Sequence, residues 1–164
     1  MLQWIFIVLG GLFGLIAILV IIGYLLPKKH KVTLSKTFKT SPEKVWQLIR
    51  NFEHYQQWRP GLKEVQVISD NTWKEIDKRN DKITLQIIEE APHEKLVTKI
   101  IDDKLPFGGS WIFEISGEEE VALTITEDGE IYNPIFRFFA HFVFGYEATM
   151  KQYFNDLETT INQN

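Results

Sequence analysis

The sequence of 164 residues contains no cysteine. This excludes disulfide frameworks, thiolate zinc sites and cysteine nucleophiles, and it leaves the redox compartment undetermined. Charge is absent from the beginning of the chain as well, because the first charged side chain is that of Lys28. The chain therefore divides into an uncharged segment, residues 1–27, which we interpret as a membrane anchor, and a charged domain, residues 28–164.

The sequence also has few residues of the kinds that catalytic and metal sites require. Its four histidines are His30, His54, His93 and His141, which lie far apart and lack ligand spacing. A general base needs a partner that orients it, and the neighbours of His141 supply none. Ser110 and Ser116 lie outside any G-x-S-x-G motif. We therefore predict no catalytic residue, no metal site and no cofactor.

Basic residues are too few for a surface that binds nucleic acid. From Val32 to Asn164 the chain has 15 Lys and Arg against 22 Asp and Glu, a net charge of −7. Because affinity for nucleic acid depends on a basic surface, a nucleic-acid partner is not expected.

An apolar run from Trp4 to Leu26 comprises 23 uncharged residues. At about 1.5 Å per residue it can cross a hydrocarbon core of about 30 Å, so it predicts one transmembrane helix and the lipid bilayer as a partner. A cleaved signal peptide is disfavoured because the run is too long and neither a basic residue before it nor a small-x-small cleavage site after it is present. Lys28, Lys29 and Lys31 follow the run. The positive-inside rule then predicts a single-pass protein of the cell membrane with its N-terminus outside and its domain in the cytoplasm.

Gly10 and Gly14 form one G-x-x-x-G pattern within this run. Such a pattern can bring two membrane helices close together, which would make a homodimer. A single match in an apolar segment carries little weight, and glycine that is merely tolerated in a membrane helix is the favoured interpretation.

The pattern from Pro134 to Ile161 predicts a single amphipathic helix of 28 residues. With about 100° per residue, its large apolar residues fall within one arc of about 120° that faces the core. These residues are Ile135, Phe136, Phe139, Phe142, Val143, Tyr146, Met150, Tyr153, Phe154, Leu157 and Ile161. Arg137 and His141 lie on the opposite arc, where a solvated face is expected.

Two further aromatic residues of this helix, Phe138 and Phe144, lie outside the apolar arc. A soluble helix should be polar there, so the two rings predict contact with another surface. That surface could be a loop over a cavity mouth, a second protomer or the headgroup region of the bilayer.

Short strands separated by turn residues fill most of the chain before that helix. The predicted strands are residues 32–39, 63–68, 72–78, 82–89, 95–101, 109–116 and 121–132. Between the first two, Ser41 and Pro42 begin a short helix, and an aromatic series of Phe52, Tyr55 and Trp58 continues into a second one. Because the later strands have short connections, neighbouring strands must be antiparallel, and the order predicts an α+β fold.

Four motifs, taken in their order and spacing, carry a family resemblance. They are Thr40-Ser41-Pro42-Glu43-Lys44-Val45-Trp46, Trp58-Arg59-Pro60, Gly108-Gly109-Ser110-Trp111, and Glu127-Asp128-Gly129-Glu130-Ile131 followed by Asn133-Pro134-Ile135-Phe136-Arg137-Phe138. From about Val32 to Ile161 the chain resembles the START/Bet v 1-like superfamily, also called SRPBCC or polyketide cyclase/dehydrase. The resemblance implies a helix-grip fold, in which a curved antiparallel sheet of about seven strands surrounds a long C-terminal helix, here preceded by the transmembrane helix. It also implies an apolar cavity between sheet and helix, which such proteins usually use for sterols, lipids, polyketides or quinones.

The resemblance directs attention to residues that would line such a cavity. In related folds a Trp-Arg-Pro turn lies near one end of the cavity, so Arg59 could reach a carboxylate or phosphate group of a ligand. The alternative is that Trp58 packs under the long helix and Arg59 is solvated. The predicted ligand-binding residues are Trp58, Arg59, Trp111, Phe113, Phe139, Phe142 and Tyr146. The aromatic members of this set could instead fill a packed core.

These observations predict a membrane-anchored binding protein whose cytoplasmic domain holds a small hydrophobic ligand. A lipid, an isoprenoid or a polyketide-like molecule taken from the same bilayer would fit, because the anchor keeps the cavity close to the membrane. The first alternative is an enzyme of the polyketide cyclase or hydrolase type that acts on a hydrophobic substrate in the same cavity, and a titratable cluster on the cavity wall would favour it. The second alternative is a non-catalytic protein-interaction module, which a filled core would favour.

Overall fold

The structure is a computed structural model that describes residues 2–118 and 120–163. It shows a long apolar helix followed along the chain by an α+β domain. The elements in chain order are α1 (Leu2–Leu25), β1 (Lys29–Phe38), α2 (Pro42–Arg50), a 3₁₀ turn (Phe52–His54), α3 (Tyr55–Trp58), β2 (Leu62–Ser69), β3 (Thr72–Asp77), β4 (Lys82–Ala91), β5 (Lys95–Ile100), β6 (Phe107–Ser116), β7 (Val121–Ile131), α4 (Pro134–Phe139), a π-helical turn (Ala140–Phe144) and α5 (Ala148–Gln163). The predicted strands correspond to β1 through β7, with ends that differ by at most three residues.

The seven strands form one curved antiparallel sheet in the order β1-β7-β6-β5-β4-β3-β2. Strand β1 pairs with β7 along its whole length, from Lys29 opposite Glu130 to Phe38 opposite Val121. The residues that follow α1 therefore lie beside the strand that leads into α4. Together with the C-terminal helices, this sheet confirms the predicted helix-grip fold.

Local sequence sets the beginning of α2. The Ser41 side chain accepts a hydrogen bond from the backbone N–H of Lys44 at 3.3 Å, and Pro42 occupies the first turn, where no hydrogen bond is lost. The inward face of α2 buries Val45 and Ile49 in the core that it shares with α5. The start of the helix at Ser41 and Pro42 agrees with the sequence-based prediction.

The chain from Pro134 to Ile161 is not one helix, and the prediction of a single helix of 28 residues is wrong. Helix α4 passes into the π-helical turn, and Gly145 then adopts a φ of +71°, a left-handed conformation that ends the helical path before α5 begins. Within α5 the predicted apolar stripe is correct. Its buried members are Met150, Tyr153, Phe154, Leu157 and Ile161.

The part before the break departs from the prediction on both faces. Arg137, which was expected on the solvated face, is 2% exposed, whereas Phe142, which was expected in the core, is 59% exposed. The burial of Arg137 follows from its packing partner, because α4 packs chiefly against α1. A periodic stripe indicates which side of a helix is apolar, but here the buried side is set by contact with a second helix.

Arg137 links α4 to the end of α1. Its Nη1 donates a hydrogen bond to the carbonyl oxygen of Leu26 at 2.9 Å, and its Nη2 donates to the carbonyl oxygen of Tyr132 at 3.1 Å. A cation at this place also faces the negative end of the α1 helix dipole. Gly23 allows a close backbone contact, because a Cβ there would lie 1.9 Å from the carbonyl oxygen of Pro134. Helices α1 and α4 are therefore fixed to each other where α1 ends.

Helix α1 is long and apolar enough over Gln3–Leu25 to cross a membrane, and its most apolar part is not buried against the rest of the described chain. Trp4 and Tyr24, near its two ends, are exposed, at positions where aromatic side chains suit membrane–water interfaces. Around Gly10 and Gly14 an added Cβ would meet no atom of the described residues within 4 Å, the helix's own nearby backbone aside. This face of α1 is open, and the homodimer remains a prediction.

Candidate functional site

The candidate site is a cavity of about 650 Å³ between the sheet and the helical segment that covers it. Small-molecule sites typically have volumes of about 300 to 1,000 Å³. Leu85, Ile100 and Phe113 contribute to the sheet wall, and Phe139 and Phe144 contribute to the opposite wall. A filled core would have favoured the alternative of a protein-interaction module. The domain contains this cavity instead, so that support is absent.

Most of the predicted ligand-binding residues lie on the cavity wall. Those that line it are Arg59, Trp111, Phe113, Phe139 and Tyr146. Trp58 and Phe142 lie outside it. The Trp58 ring is buried in the core, edge-on to the ring of Tyr153 with centroids 5.2 Å apart. Phe142 is exposed because the π-helical turn interrupts the predicted stripe before α5 begins.

Arg59 forms a buried ion pair. Its Nη1 donates to Oε1 of Glu75 at 2.7 Å, and both side chains are largely buried. The indole Nε1 of Trp73 donates to the same carboxylate oxygen at 3.1 Å. Burial alone would lower the pKa of the Arg59 guanidinium, but the charge and hydrogen bond of Glu75, together with the nearby Tyr153 and Tyr55, outweigh this effect and the pKa is raised. Arg59 is therefore charged and paired with Glu75 within the protein, which contradicts its interpretation as a solvated residue. Its role in ligand binding stays a prediction.

Two buried tyrosines lie against Arg59, with Cζ of its guanidinium 5.0 Å from the ring centroid of Tyr55 and 5.3 Å from that of Tyr153. The Tyr55 hydroxyl donates to the backbone carbonyl of Ile49. The buried Tyr153 hydroxyl lies close enough to that of Tyr55 for electrostatic interaction, but among the described residues it has no hydrogen-bond partner of suitable geometry. Burial raises the pKa of Tyr55 to about 12 and that of Tyr153 well above its usual value, so both phenols are uncharged at neutral pH.

A second polar group, His30 with Glu127, lies on the cavity wall where β1 pairs with β7. Nε2 of His30 and Oε1 of Glu127 are 3.1 Å apart, and both side chains are largely buried. The His30 ring stacks on the ring of Tyr146 with centroids 4.1 Å apart. Gly129 makes room for the imidazole, because a Cβ there would lie 2.4 Å from two of its ring atoms. The orientation of the histidine is therefore fixed by a carboxylate, an aromatic ring and a glycine.

This pair was not predicted from the sequence, because its members are 97 positions apart. The predicted first strand also began at Val32, which left His30 outside it. Strand register is the signal that could have found the pair: Val32 lies opposite Glu127 and His30 lies opposite Gly129. His30 and Glu127 are thus diagonal neighbours on one face of the sheet. His141, weighed from the sequence as a candidate base, is exposed.

The charged groups on the cavity wall are paired with one another or with nearby residues. The three pairs are Glu75 with Arg59, Glu127 with His30 when that ring is protonated, and Glu130 with Lys29. No cluster of three or more His, Asp or Glu side chains suited to a metal ion occurs in the part of the chain that the structure describes. The site is chemically an apolar cavity whose charged groups are internally paired.

An apolar cavity enclosed between an antiparallel sheet and C-terminal helices defines a helix-grip ligand-binding domain. The family model for polyketide cyclase/dehydrase and lipid transport proteins matches residues 29–161. Because this match covers most of the chain, the protein belongs to this family, within the SRPBCC superfamily that its motifs resemble. A search of curated proteins found no match.

Solved structures share the fold at low sequence identity. A START superfamily protein from Mycobacterium smegmatis is 18% identical with a TM-score of 0.66, and the match covers 82% of this chain and 98% of that one. XoxI from Bacillus cereus is 14% identical with a TM-score of 0.63, covering 80% and 94%. Truncated norcoclaurine synthase from Thalictrum flavum is 8% identical with a TM-score of 0.67, covering 83% and 95%. These likenesses show the fold.

Proposed function

We propose that the protein is a membrane-anchored binding protein that holds one small, apolar and uncharged molecule in its cavity. The observation that carries this proposal is the cavity itself, of about 650 Å³ and lined mainly by aromatic and aliphatic side chains. Each Å² of apolar ligand surface that leaves water contributes about 25 cal/mol, so this lining favours a hydrophobic occupant. A lipid, an isoprenoid or a polyketide-like molecule has suitable chemistry.

The charges on the cavity wall favour an uncharged ligand. Arg59 is held by Glu75 at 2.7 Å, and the His30 ring lies 3.1 Å from the Glu127 carboxylate. An anionic headgroup would have to displace one of these carboxylates and leave it buried without a partner. Breaking a buried pair in this way costs about 3 to 5 kcal/mol. This argues against a ligand that presents a carboxylate or phosphate to Arg59.

The membrane topology that we propose is a single span by α1, with the N-terminus outside the cell membrane and the domain in the cytoplasm. It is supported by the apolar length of Gln3–Leu25 and by the three lysines, Lys28, Lys29 and Lys31, that follow. A reporter that is active only in the cytoplasm should be active when it is fused after Asn164, and one that is active only outside should be inactive. The reverse pattern would overturn the orientation.

The binding proposal is tested by native mass spectrometry of the full chain purified from membranes. We expect a mass increment that corresponds to one small apolar molecule. Leu85→Trp places a larger ring on the cavity wall and should reduce the ligand-bound fraction at least about tenfold. Ile88→Trp is the matched control, since it lies on the same strand but is exposed, and it should keep the increment. Equal loading of the two variants would contradict binding in this cavity.

The second candidate function is an enzyme that acts on a hydrophobic substrate, and the pair of His30 and Glu127 favours it. A carboxylate that holds one ring nitrogen orients a histidine for proton transfer through the other. If the protein is an enzyme, His30→Gln should co-purify with a substrate whose mass differs from that of the compound bound to the wild type. If it only binds, both proteins should carry the same compound.

A further inference from the structure

We propose that Pro134–Phe144, called the interfacial segment from here on, inserts into the surface of the bilayer that α1 spans and opens the cavity toward that bilayer. The insertion depends on observations that are separate from the cavity. The opening deepens the proposed binding function and rests on it. In this proposal the bilayer covers the exposed apolar side chains of the interfacial segment.

The interfacial segment exposes large apolar side chains where a domain surface is normally polar. Phe142, Val143 and Phe144 are 59%, 59% and 69% exposed. The segment contains no acidic residue, and it forms an apolar helical stretch that is too short to cross a membrane. A helix with these properties suits a position in the plane of the membrane interface, where its apolar side chains leave water.

Contacts with α1 place the interfacial segment at the level of the membrane surface. The carbonyl oxygen of Pro134 approaches the backbone of Gly23, which lies two residues before the end of α1. Two residues correspond to about 3 Å along a helix axis. Arg137 adds the 2.9 Å hydrogen bond to Leu26. The beginning of the segment is therefore level with the last turn of a helix of membrane-spanning length, and apolar side chains there meet lipid.

Charge supports the bilayer as the occupant of this surface. The segment contains no acidic residue, so no carboxylate would lose its hydration on insertion. Of its two basic residues, Arg137 is turned inward and His141 is exposed. Lys28 and Lys29, which follow α1, are exposed and suit the headgroup region. Helix α4, the first part of the segment, packs against α1, whose apolar side chains are exposed, and a bilayer is the single occupant that covers the exposed apolar surfaces of both.

The same segment forms part of the cavity wall. Phe136 and Phe144 line the cavity and are also exposed on the outer surface. A side chain that does both lies at the mouth of the cavity. The mouth therefore faces the bilayer, and an apolar ligand can move between bilayer and cavity without crossing water.

The absence of cysteine allows insertion to be measured at one position at a time. Val143→Cys, in the full chain labelled with nitrobenzoxadiazole in phosphatidylcholine nanodiscs, places a probe on the interfacial segment but outside the cavity lining. Ile88→Cys on β4 is the matched control, because Ile88 is 53% exposed and Val143 is 59% exposed. Lipid that is spin-labelled near the headgroup should quench the probe at Val143 at least about twofold more than the probe at Ile88. Aqueous iodide should quench the two probes in the opposite order.

Equal quenching of both probes by spin-labelled lipid would overturn the insertion. Protection from iodide that depends on protein concentration and not on lipid would assign the surface to a second copy and would overturn it as well. Farnesol, an uncharged isoprenoid alcohol added to the nanodiscs, tests ligand binding separately by native mass spectrometry. Quenching at Val143 without any bound molecule would support insertion and contradict the binding function. A bound molecule without quenching would support the binding function and overturn the insertion.

Discussion

Nη1 of Arg137 and the carbonyl oxygen of Leu26, 2.9 Å apart, join the domain to the apolar helix that precedes it. Nη2 of the same guanidinium donates to the carbonyl oxygen of Tyr132 at 3.1 Å. One buried side chain therefore supplies donors to two chain segments, one that leaves α1 and one that leaves β7. The planar guanidinium can donate to both carbonyl oxygens at once, whereas the single ammonium group of a lysine is poorly shaped to reach both.

Replacing Arg137 by leucine should lower the stability of the full chain in nanodiscs. Both carbonyls lose their donor, and each hydrogen bond to a charged group contributes about 1.5 to 3 kcal/mol. We expect a loss of about 3 kcal/mol in the free energy of unfolding, measured by denaturant titration and tryptophan fluorescence. Arg137→Lys keeps the charge, so its free energy of unfolding should lie between those of Arg137→Leu and the wild type. A leucine variant as stable as the wild type would show that the two bonds contribute nothing to stability.

Leu157 and Phe139 belong to the same predicted stripe but should respond differently to truncation. Leu157 is fully buried in α5, whereas Phe139 is half-buried and lines the cavity. Leu157→Ala should therefore cost about 2 to 5 kcal/mol, because it creates a void in packed surroundings. Phe139→Ala only enlarges an existing cavity and should cost less, about 1 to 2 kcal/mol. Urea unfolding compares the two, and equal losses would place Phe139 in the packed core.

The strands could be predicted because their signal is local. Successive side chains of a strand point to opposite faces, so the alternation of Trp111 and Phe113 with their neighbours identifies the inward face within a few residues. The start of α2 is local as well, since Ser41 and Pro42 act within one helical turn. These local signals placed the sheet and one wall of the cavity correctly.

The helix break and the polar pairs depend on contacts between distant segments, which local patterns do not report. One glycine in a periodic segment does not reveal its φ, so Gly145 was compatible with a continuous helix. Arg137 fitted a solvated face because its acceptor, Leu26, lies 111 positions earlier in the chain. Pairing Arg59 with Glu75 requires knowing that the end of α3 lies beside β3.

Removing the Tyr153 hydroxyl should not destabilise the protein. This oxygen is buried near the Tyr55 hydroxyl, but no group among the described residues has suitable hydrogen-bond geometry to it, and burial of an unsatisfied polar group costs about 1 to 3 kcal/mol. Tyr153→Phe keeps the ring contact with Trp58, so we expect an unchanged or higher thermal midpoint. Tyr55→Phe is the contrast, because it loses the bond to Ile49 and should cost about 1 kcal/mol. If Tyr153→Phe were the more harmful change, its hydroxyl would have a stabilising role.

Tyr55 should make the fold sensitive to alkaline pH. Tyrosine in an unfolded chain ionises near about pH 10, whereas burial raises the pKa of Tyr55 to about 12. Between these values the unfolded chain releases a proton that the folded chain retains. The stabilisation is therefore complete below about pH 10 and is lost as the pH rises through about 12, by about 2 to 3 kcal/mol. Burial of Tyr153 acts in the same direction.

The measurement for this prediction is the free energy of unfolding as a function of pH. Tyr55→Phe should flatten the alkaline part of the profile, although it also lowers stability at every pH through the lost hydrogen bond. Tyr132→Phe, at an exposed position, should keep the slope of the wild type. An alkaline slope that is the same in all three proteins would show that other groups determine it.

Gly129 sets the position of His30, and one added carbon atom should separate His30 from Glu127. A Cβ at Gly129 would lie 2.4 Å from Cε1 and Nε2 of the imidazole and 3.0 Å from Oε1 of Glu127. Strand β7 is paired on both sides, with β1 and β6, so the ring must move, and its stacking on Tyr146 at 4.1 Å is then lost. We expect Gly129→Ala to fold and the His30 ring-proton signal in NMR spectra to lose the shift that the Tyr146 ring causes. Gly61→Ala should leave that signal unchanged, since its added carbon meets no described atom within 4 Å. An unchanged His30 signal in Gly129→Ala would mean that the strand moves while the ring stays in place.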